Sequence, residues 1–364
     1  MGEIQTPKFV AVILAGGAGT RFWPLSTERR PKQFLKILDE RSLLRMSLER
    51  LEGMVPPQRT LVLTKAEMKP FVALELPELE EKNILGEPVR RDTAAAVCLA
   101  ALVSRRMFGE TVMAVLTADH IISPIRQFQD SLASAVRMAQ SSKALYTFGI
   151  PPTYPATGYG YLELGEELLR DGDVSHHRIL SFKEKPDLET AKAYVESGRF
   201  MWNSGMFVWS TEAILKEIRL QLPVHFQELS KATEYWDTPK WQEELARAFS
   251  SLETVSVDYG VMEKAQDIRC VVGKWEWRDV GGWVSIMELL PKDEKGNAAR
   301  GKLFYQDSMN NLVFCEDPEE TVALVGVEGL VVARAGKKTL VARMEQAEKL
   351  KGLVERFKKE LDGS

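Results

Sequence analysis

Cysteine is scarce in this 364-residue chain: Cys98, Cys270 and Cys315 stand far apart, with no C-x-x-C pair. An odd, scattered set gives no disulfide framework and no thiolate zinc site, and it fits a reducing, cytoplasmic setting. Each of the three reads as a small buried hydrophobe. Histidine is also rare, and His120, His176, His177 and His225 show no metal-ligand spacing. An excess of one charge is missing too, since 48 Lys and Arg face 52 Asp and Glu for a net −4. That balance offers no broad basic surface to nucleic acid or an anionic membrane. No apolar run approaches membrane length, and no charged segment followed by a long apolar one marks a signal peptide. Met1-Gly2 with Thr6 matches the short N-myristoylation pattern, but a strand starting near Phe9 leaves little leader, so no weight rests on it. Two common nucleotide fingerprints are absent as well. No Lys-Ser or Lys-Thr follows the glycines at 16, 17 and 19, which rules out a P-loop. Phe22 stands where a dinucleotide fingerprint needs its third glycine, which argues against an NAD-dependent dehydrogenase.

What is present is ordinary in bulk and distinctive in one place. Hydrophobic residues make up 45% and charged residues 27%, as in a globular protein with room for one large and one small domain. The distinctive run is LAGGAGTRFWPLSTERRPKQF, from Leu14 to Phe34, which follows a strand-like Phe9 to Leu14. Gly16, Gly17 and Gly19 form a turn whose backbone N–H groups can close on an anion, and Leu14, Ala15 and Thr20 flank it as further nucleotide-binding candidates. Arg21 and Lys32 then supply the positive charge to neutralise a polyphosphate.

Strand-length apolar runs at Phe9–Leu14, Thr60–Leu63, Val112–Leu116 and Ala144–Ile150 alternate with helical patterns at Leu43–Leu51, Thr93–Arg106 and Phe128–Ala139. Alternation of this kind predicts an α/β fold with a largely parallel sheet covered on both faces. Further strand-like pieces near Gly160–Leu164 and Met206–Ser210 make the sheet mixed, and long helices follow between Thr211 and Leu252. The expected organisation is a domain over residues 1–290, a polar linker over 291–301, a small β domain over 302–343 and an amphipathic helix over 344–364. On that helix Leu350, Leu353, Val354, Phe357 and Leu361 share one face. One carboxylate, Asp119, follows the buried run Val112–Leu116 in Thr117-Ala118-Asp119-His120, and a second candidate, Asp279, lies in WRDVGGW beside Gly281 and Gly282. Two such groups suit Mg²⁺, which takes one or two carboxylates together with phosphate oxygens.

The glycine run with Trp23-Pro24-Leu25-Ser26 and Pro31-Lys32-Gln33-Phe34 resembles the signature of the sugar-phosphate nucleotidylyltransferases, in their mannose-1-phosphate guanylyltransferase branch. The resemblance extends from about Phe9 to about Ala342. It implies a Rossmann-like nucleotide-diphospho-sugar transferase fold, with a short left-handed β-helix as the C-terminal domain. It also implies transfer of GMP from GTP to α-D-mannose 1-phosphate, giving GDP-mannose and diphosphate, with Asp119 and Asp279 holding Mg²⁺. Arg21, Lys32 and Lys185 are the implied catalytic cations. Glu87, Arg91, Asp92 and Thr93, in EP…RDTA, are the implied nucleobase side; Asp92 replaces the Asn of many relatives, and an anionic acceptor remains compatible with guanine. Gly158, Tyr159 and Gly160, with Glu184, Lys185, Asn203 and Asp258, are the implied sugar side. A homodimer and a single activity are expected, since the chain stops short of the isomerase domain of bifunctional relatives. Two alternatives stay open at this point: another pair, such as glucose 1-phosphate with UTP, ATP or dTTP, and a non-catalytic nucleotide-sugar sensor. The intact Arg21, Lys32, Asp119, Lys185 and Asp279 argue against the sensor.

Overall fold

A computed structural model describes residues 8–17, 19–357 and 360. Met1, Gly2, Thr6 and Leu361 lie outside the described residues. The chain divides into two compact units, one built from residues up to Gly16, Ser47–Thr117 and Ile122–Trp277, the other from Gly17–Met46, Ala118–Ile121 and the residues from Arg278 onward.

The first unit is organised on a nine-stranded sheet. Its strands are β1 (Phe9–Leu14), β2 (Thr60–Lys65), β3 (Ile84–Glu87) and β4 (Val112–Thr117) in the first half of the sequence. After β5 (His120–Ser123), which lies outside this sheet, come β6 (Leu145–Ile150), β7 (Tyr161–Asp171), β8 (Val174–Lys183), β9 (Phe200–Ser210) and β10 (Ile268–Val272). The order across the sheet is β3-β2-β1-β4-β9-β6-β10-β8-β7. Strands β3, β2, β1 and β4 run parallel, as do β6 and β10, whereas β9 and the long β7–β8 hairpin pair antiparallel to their neighbours. Strands β7 and β8 are joined by a short turn, which antiparallel neighbours allow and parallel ones do not.

Strand β1 reads FVAVIL without a polar residue because both of its faces are covered. The helix Asp92–Phe108 explains itself in the same way. Its residues from Ala94 to Ser104 are all buried, and an alanine-rich surface lets neighbouring elements pack closely on every side. The unit's core runs from Val10 and Leu61 through this helix to Phe207, Trp209 and the helices of residues 211–252. Cys98 and Cys270 lie within it as free, buried thiols, as the sequence leads one to expect.

The second unit has a separate core that joins distant parts of the chain. Phe22, Trp23, Leu25, Leu35 and Ile37 pack with Val280, Trp283, Leu312, Phe314, Val331 and Leu350. Trp283 meets the Phe22 ring edge-on at 5.6 Å and the Phe314 ring at 5.7 Å. After β11 (Glu276–Asp279) the C-terminal stretch forms β12 (Ala298–Arg300), β13 (Lys302–Gln306), β14 (Leu312–Cys315), β15 (Thr321–Val325), β16 (Leu330–Ala335) and β17 (Lys338–Arg343). Two parallel faces, β12-β14-β16 and β13-β15, alternate along the sequence as the coils of a β-helix do, and β17 closes the first face antiparallel. A 3₁₀ turn at Met344–Lys349 leads into the helix Leu350–Arg356. Leu350 and Val354, one turn apart, are buried there, whereas Leu353 and Phe357 are 48% and 41% exposed. The buried face of the tail is thus narrower than the sequence pattern suggests, since so short a helix meets the core along one line.

The corners of the coils are held by buried asparagines. Asn311 donates from Nδ2 to Asn297 Oδ1 (3.0 Å) and to the Val327 carbonyl (3.1 Å), and its Oδ1 accepts from the Leu330 N–H (2.9 Å). Replacing Asn311 with Ala strands these groups in a fully buried place. The expected loss is about 1–3 kcal/mol for each group left unpaired. Urea unfolding measures it, and an unchanged midpoint would remove the asparagines from the account of this fold.

Candidate active site

In the second unit the glycine turn and Lys32 are built against each other. Gly19 has φ 64°, in the left-handed region, and a Cβ there would stand 2.6 Å from Lys32 Cβ and 2.9 Å from its backbone nitrogen. A Cβ at Gly17 would come within 3.2 Å of Lys32 Cε. The Ser26 hydroxyl donates to the Gly19 carbonyl and ties the turn to the WPLS segment. Thr20 opens a 3₁₀ turn in which Phe22 is fully buried in the aromatic core while the neighbouring Arg21 side chain stays 46% exposed. Anchoring one residue thereby orients the other.

Lys32 Nζ reaches Asp119 Oδ2 at 2.5 Å. Val280 donates its N–H to the Asp119 carbonyl at 3.0 Å, which sets the end of β11, and so Asp279, beside Asp119. Asp119, His120 and Asp279 can each offer a ligand atom within 4.8 Å of the others. Arg21 Nε lies 3.3 Å from Glu348, and its Nη1 donates to the Gly281 carbonyl at 3.4 Å. Burial works against the charge on Lys32, but attraction to Asp119 and Asp279 outweighs it and holds the ammonium above its usual value. Asp279 is held above the usual carboxylate range, first by burial and then by repulsion from Asp119. Two hard oxygen donors whose negative charges repel each other fit a divalent cation.

In the first unit a second cluster forms around the β7–β8 hairpin. A Cβ on Gly160 would meet the Glu184 carboxylate and make its flexible end swing aside, so glycine leaves that carboxylate where it is. Lys185 pairs with Glu184 at 2.7 Å. Asn203 Nδ2 donates to Asp258 at 2.9 Å, and its Oδ1 accepts from the Thr147 hydroxyl (2.8 Å) and the Gly205 N–H (3.3 Å). A backbone N–H can only donate, so the amide has one orientation and presents its NH₂ group to Asp258. Burial, reinforced by Glu184, pushes Asp258 up to about 7. Among the described residues the non-glycine positions with positive φ are Asp92, Lys185, Asp237, Asp307 and Asn310. Four are Asp or Asn, which tolerate this conformation; Lys185 does not, and strain of this kind gathers at functional positions. Tyr159, between the open Gly158 and Gly160, rests edge-on against Trp202 (5.2 Å) and Trp277 (5.3 Å).

The residues read as the nucleobase side are more scattered in their duties. Leu14 ends β1, and the Ala15 N–H continues its ladder to the Leu63 carbonyl at 2.8 Å. Glu87 ends β3 with its carboxylate 3.8 Å from where a Gly16 Cβ would stand, and burial pushes it up to about 7. Arg91 donates to the Phe249 (2.8 Å) and Ser250 (3.2 Å) carbonyls, at the C-terminal end of the helix Trp241–Ser251. Its guanidinium therefore satisfies carbonyls that a helix end leaves open. Asp92 sits at φ 64° and accepts from the Thr93 N–H at 2.8 Å, while the Thr93 hydroxyl accepts from the Val257 N–H at 2.8 Å. Asp tolerates this left-handed conformation better than most residues, which suits it to position 92.

His120, for which the sequence showed no metal-ligand spacing, falls in the same group as Asp119 and Asp279, because the third member comes from a distant segment. Three polar side chains in these clusters escaped the sequence reading. Glu263, which accepts from the Glu184 N–H at 3.0 Å, lies five residues after Asp258. Thr147 and Glu348 carried no sequence signal, because their roles come only from folding.

The nucleotidyl transferase family model matches residues 10–296, and a mannose-phosphate isomerase/GMP-like β-helix domain matches residues 304–357. A mannose-1-phosphate guanylyltransferase of Escherichia coli is 35% identical over 95% of this chain and 75% of its own length. Another, from Klebsiella pneumoniae, is 37% identical over 95% of this chain and 73% of its own. A crystal structure titled mannose-1-phosphate geranyltransferase, from Thermus thermophilus, superposes with a TM-score of 0.86 at 33% identity, covering 97% of this chain and 100% of that one. The chain belongs to the nucleotidyl transferase family, with mannose-1-phosphate guanylyltransferases as its relatives.

Proposed function

We propose that this protein transfers GMP from GTP to α-D-mannose 1-phosphate, releasing GDP-mannose and diphosphate. The observation that carries this reading is the meeting of Lys32 with Asp119 and Asp279, beside Arg21, in a chain 35–37% identical over 95% of its length to such enzymes. A phosphate oxygen of the sugar phosphate attacks the α-phosphorus of GTP. The bond from that phosphorus to the bridging oxygen breaks, and its electron pair leaves with diphosphate. A phosphate monoester has its second ionisation near pH ~6, so the nucleophile needs no general base at neutrality. Mg²⁺ held by Asp119 and Asp279 would supply charge neutralisation at the phosphates. Arg21 takes the leaving phosphates, and Lys32 and Lys185 take the reacting ones, so that catalysis is positioning plus electrostatics.

On the sugar side Glu184 and Asp258 accept from hydroxyls, and Asn203 donates. Leu14, Ala15 and Gly16, followed by Gly17, Gly19 and Thr20, bring backbone to the nucleotide, and Glu87 and Asp92 read guanine, with Arg91 and Thr93 supporting the segment. Exposed Phe304, Tyr305 and Val325 on β13 and β15 support a homodimer. Three free, buried thiols suit the cytoplasm. Among the described residues no helix is long and apolar enough to cross a membrane.

Release of diphosphate across a grid of nucleotides and sugar phosphates tests the reading directly, and a preference for glucose 1-phosphate with UTP, ATP or dTTP would replace it. Asp279→Asn should lower kcat by roughly 100-fold or more, as loss of a key charge-stabilising group does, while melting as the parent does. Near-normal turnover in that variant would remove Asp279 from the metal.

Inosine triphosphate lacks the guanine N2 amino group and should be a poorer substrate. Loss of one hydrogen bond to a charged partner costs about 1.5–3 kcal/mol, or roughly tenfold to a hundredfold in kcat/KM. Asp92→Gly keeps the positive φ while deleting the acceptor, so it should abolish that discrimination. Full discrimination in the variant would leave Asp92 a conformational residue only.

Below about pH 7 Asp258 is held neutral, and above it the carboxylate ionises. A new negative charge close to Lys185 weakens that lysine's hold on an anionic substrate. KM for the sugar phosphate should therefore rise as pH climbs through 7, and Asp258→Asn should flatten the profile. A wild-type KM that is flat across this range would contradict the assignment.

A further inference from the structure

The carboxylate pair already has a cation. Lys32 Nζ is 2.5 Å from Asp119 Oδ2, and only 17% of the lysine side chain is exposed. The aliphatic stem has little freedom to leave, since Gly17 and Gly19 close on it more tightly than residues with a Cβ could. Asp279 adds a second attraction to the same ammonium. Arg21, the other cation of this cluster, also attracts Asp279, but its own ion pair is with Glu348, at 3.3 Å. Lys32 differs in that its partner is one of the three residues able to ligate a single ion. An ammonium and a divalent cation compete for the same carboxylate lone pairs and the same negative charge.

We propose that Lys32 is the resident counter-ion of Asp119 and Asp279, and that it holds divalent metal off until a polyphosphate draws the ammonium away. A triphosphate gives Lys32 a replacement anion, frees Asp119, and brings oxygen ligands of its own to the metal. Metal and nucleotide then load as a unit, and each raises the affinity of the other by the same factor. The glycines of the turn acquire a second duty in this scheme, because they let the lysine stem pass and aim it at the carboxylate.

The proposal rests on the assignment of Asp119 and Asp279 to the metal, and one experiment separates the two. Mn²⁺ binding to the full-length, nucleotide-free protein is followed by the electron paramagnetic resonance signal of the free ion. Lys32→Met retains the stem and removes the charge, and it should bind Mn²⁺ roughly tenfold or more tightly than wild type, as expected when a close like charge leaves a partly buried site. Lys32→Arg keeps the charge and should stay as weak as wild type. If the methionine variant is unstable, its melting temperature reads the same site, and Mn²⁺ should raise it by more than it raises that of wild type. Equal Mn²⁺ affinity in wild type and Lys32→Met would overturn the role of Lys32 while leaving the metal assignment standing. Binding to neither protein would overturn both.

Discussion

Asp119 and Asp279 stand together where water is scarce, and their mutual repulsion has to be met by positive charge brought from elsewhere in the chain. Lys32 meets it, 87 positions before Asp119 in sequence and 2.5 Å from it in space. Breaking such a pair by removing one partner is costly, because an uncompensated charge stays behind in a partly dry place. The arrangement therefore constrains everything that delivers these groups. The turn after β1 must contain glycine where the lysine stem passes, β4 must end just before Asp119, and β11 must end at Asp279.

The delivery is mechanical, and it depends on the apolar core of the second unit. Phe22 and Trp283 each lie one to four positions from a polar group of the site, Arg21 and Asp279 respectively, and their rings pack edge to face. Phe314, on β14 of the C-terminal stretch, packs against the same tryptophan. The β-helix coils thus share a core with the segment that carries Arg21. Their asparagine corners hold buried backbone groups that would otherwise be unpaired, so polar satisfaction in the coils supports the packing under the cations.

The cluster of Glu184, Lys185, Asn203 and Asp258 in the first unit uses a different device. Its charges are oriented by a chain of hydrogen bonds from Thr147 through Asn203 to Asp258, and by the close approach of Glu184 to a glycine. Lys185 is held at a positive φ that a lysine adopts only at some cost. Ion pairing with Glu184 compensates in part and fixes where the ammonium rests. In both clusters a lysine rests on a carboxylate, Lys32 on Asp119 and Lys185 on Glu184.

Much of this was legible in the sequence. The apolar run of β1, the alternation of strands and helices, the turn-rich C-terminal pieces and the cluster of Gly16, Gly17, Gly19, Arg21 and Lys32 follow from residue chemistry read locally. So does the place of Asp119, because a charged group just after a buried strand has to leave the core, whereas Asp279 ends the partly exposed β11. The direction of β9 and of the β7–β8 hairpin was not legible, since strand propensity carries no information on which neighbour a strand will find. Nor was the capping duty of Arg91, the amide lock supplied by Thr147, or the hold of Glu348 on Arg21, because each joins residues far apart in sequence. The sequence by itself determined which chemical groups are available and on which kinds of element they sit. Tertiary structure decided which charges meet, and therefore which are neutralised and which are pushed from their ordinary pKa, because electrostatic energy depends on distance and burial that only the folded chain defines.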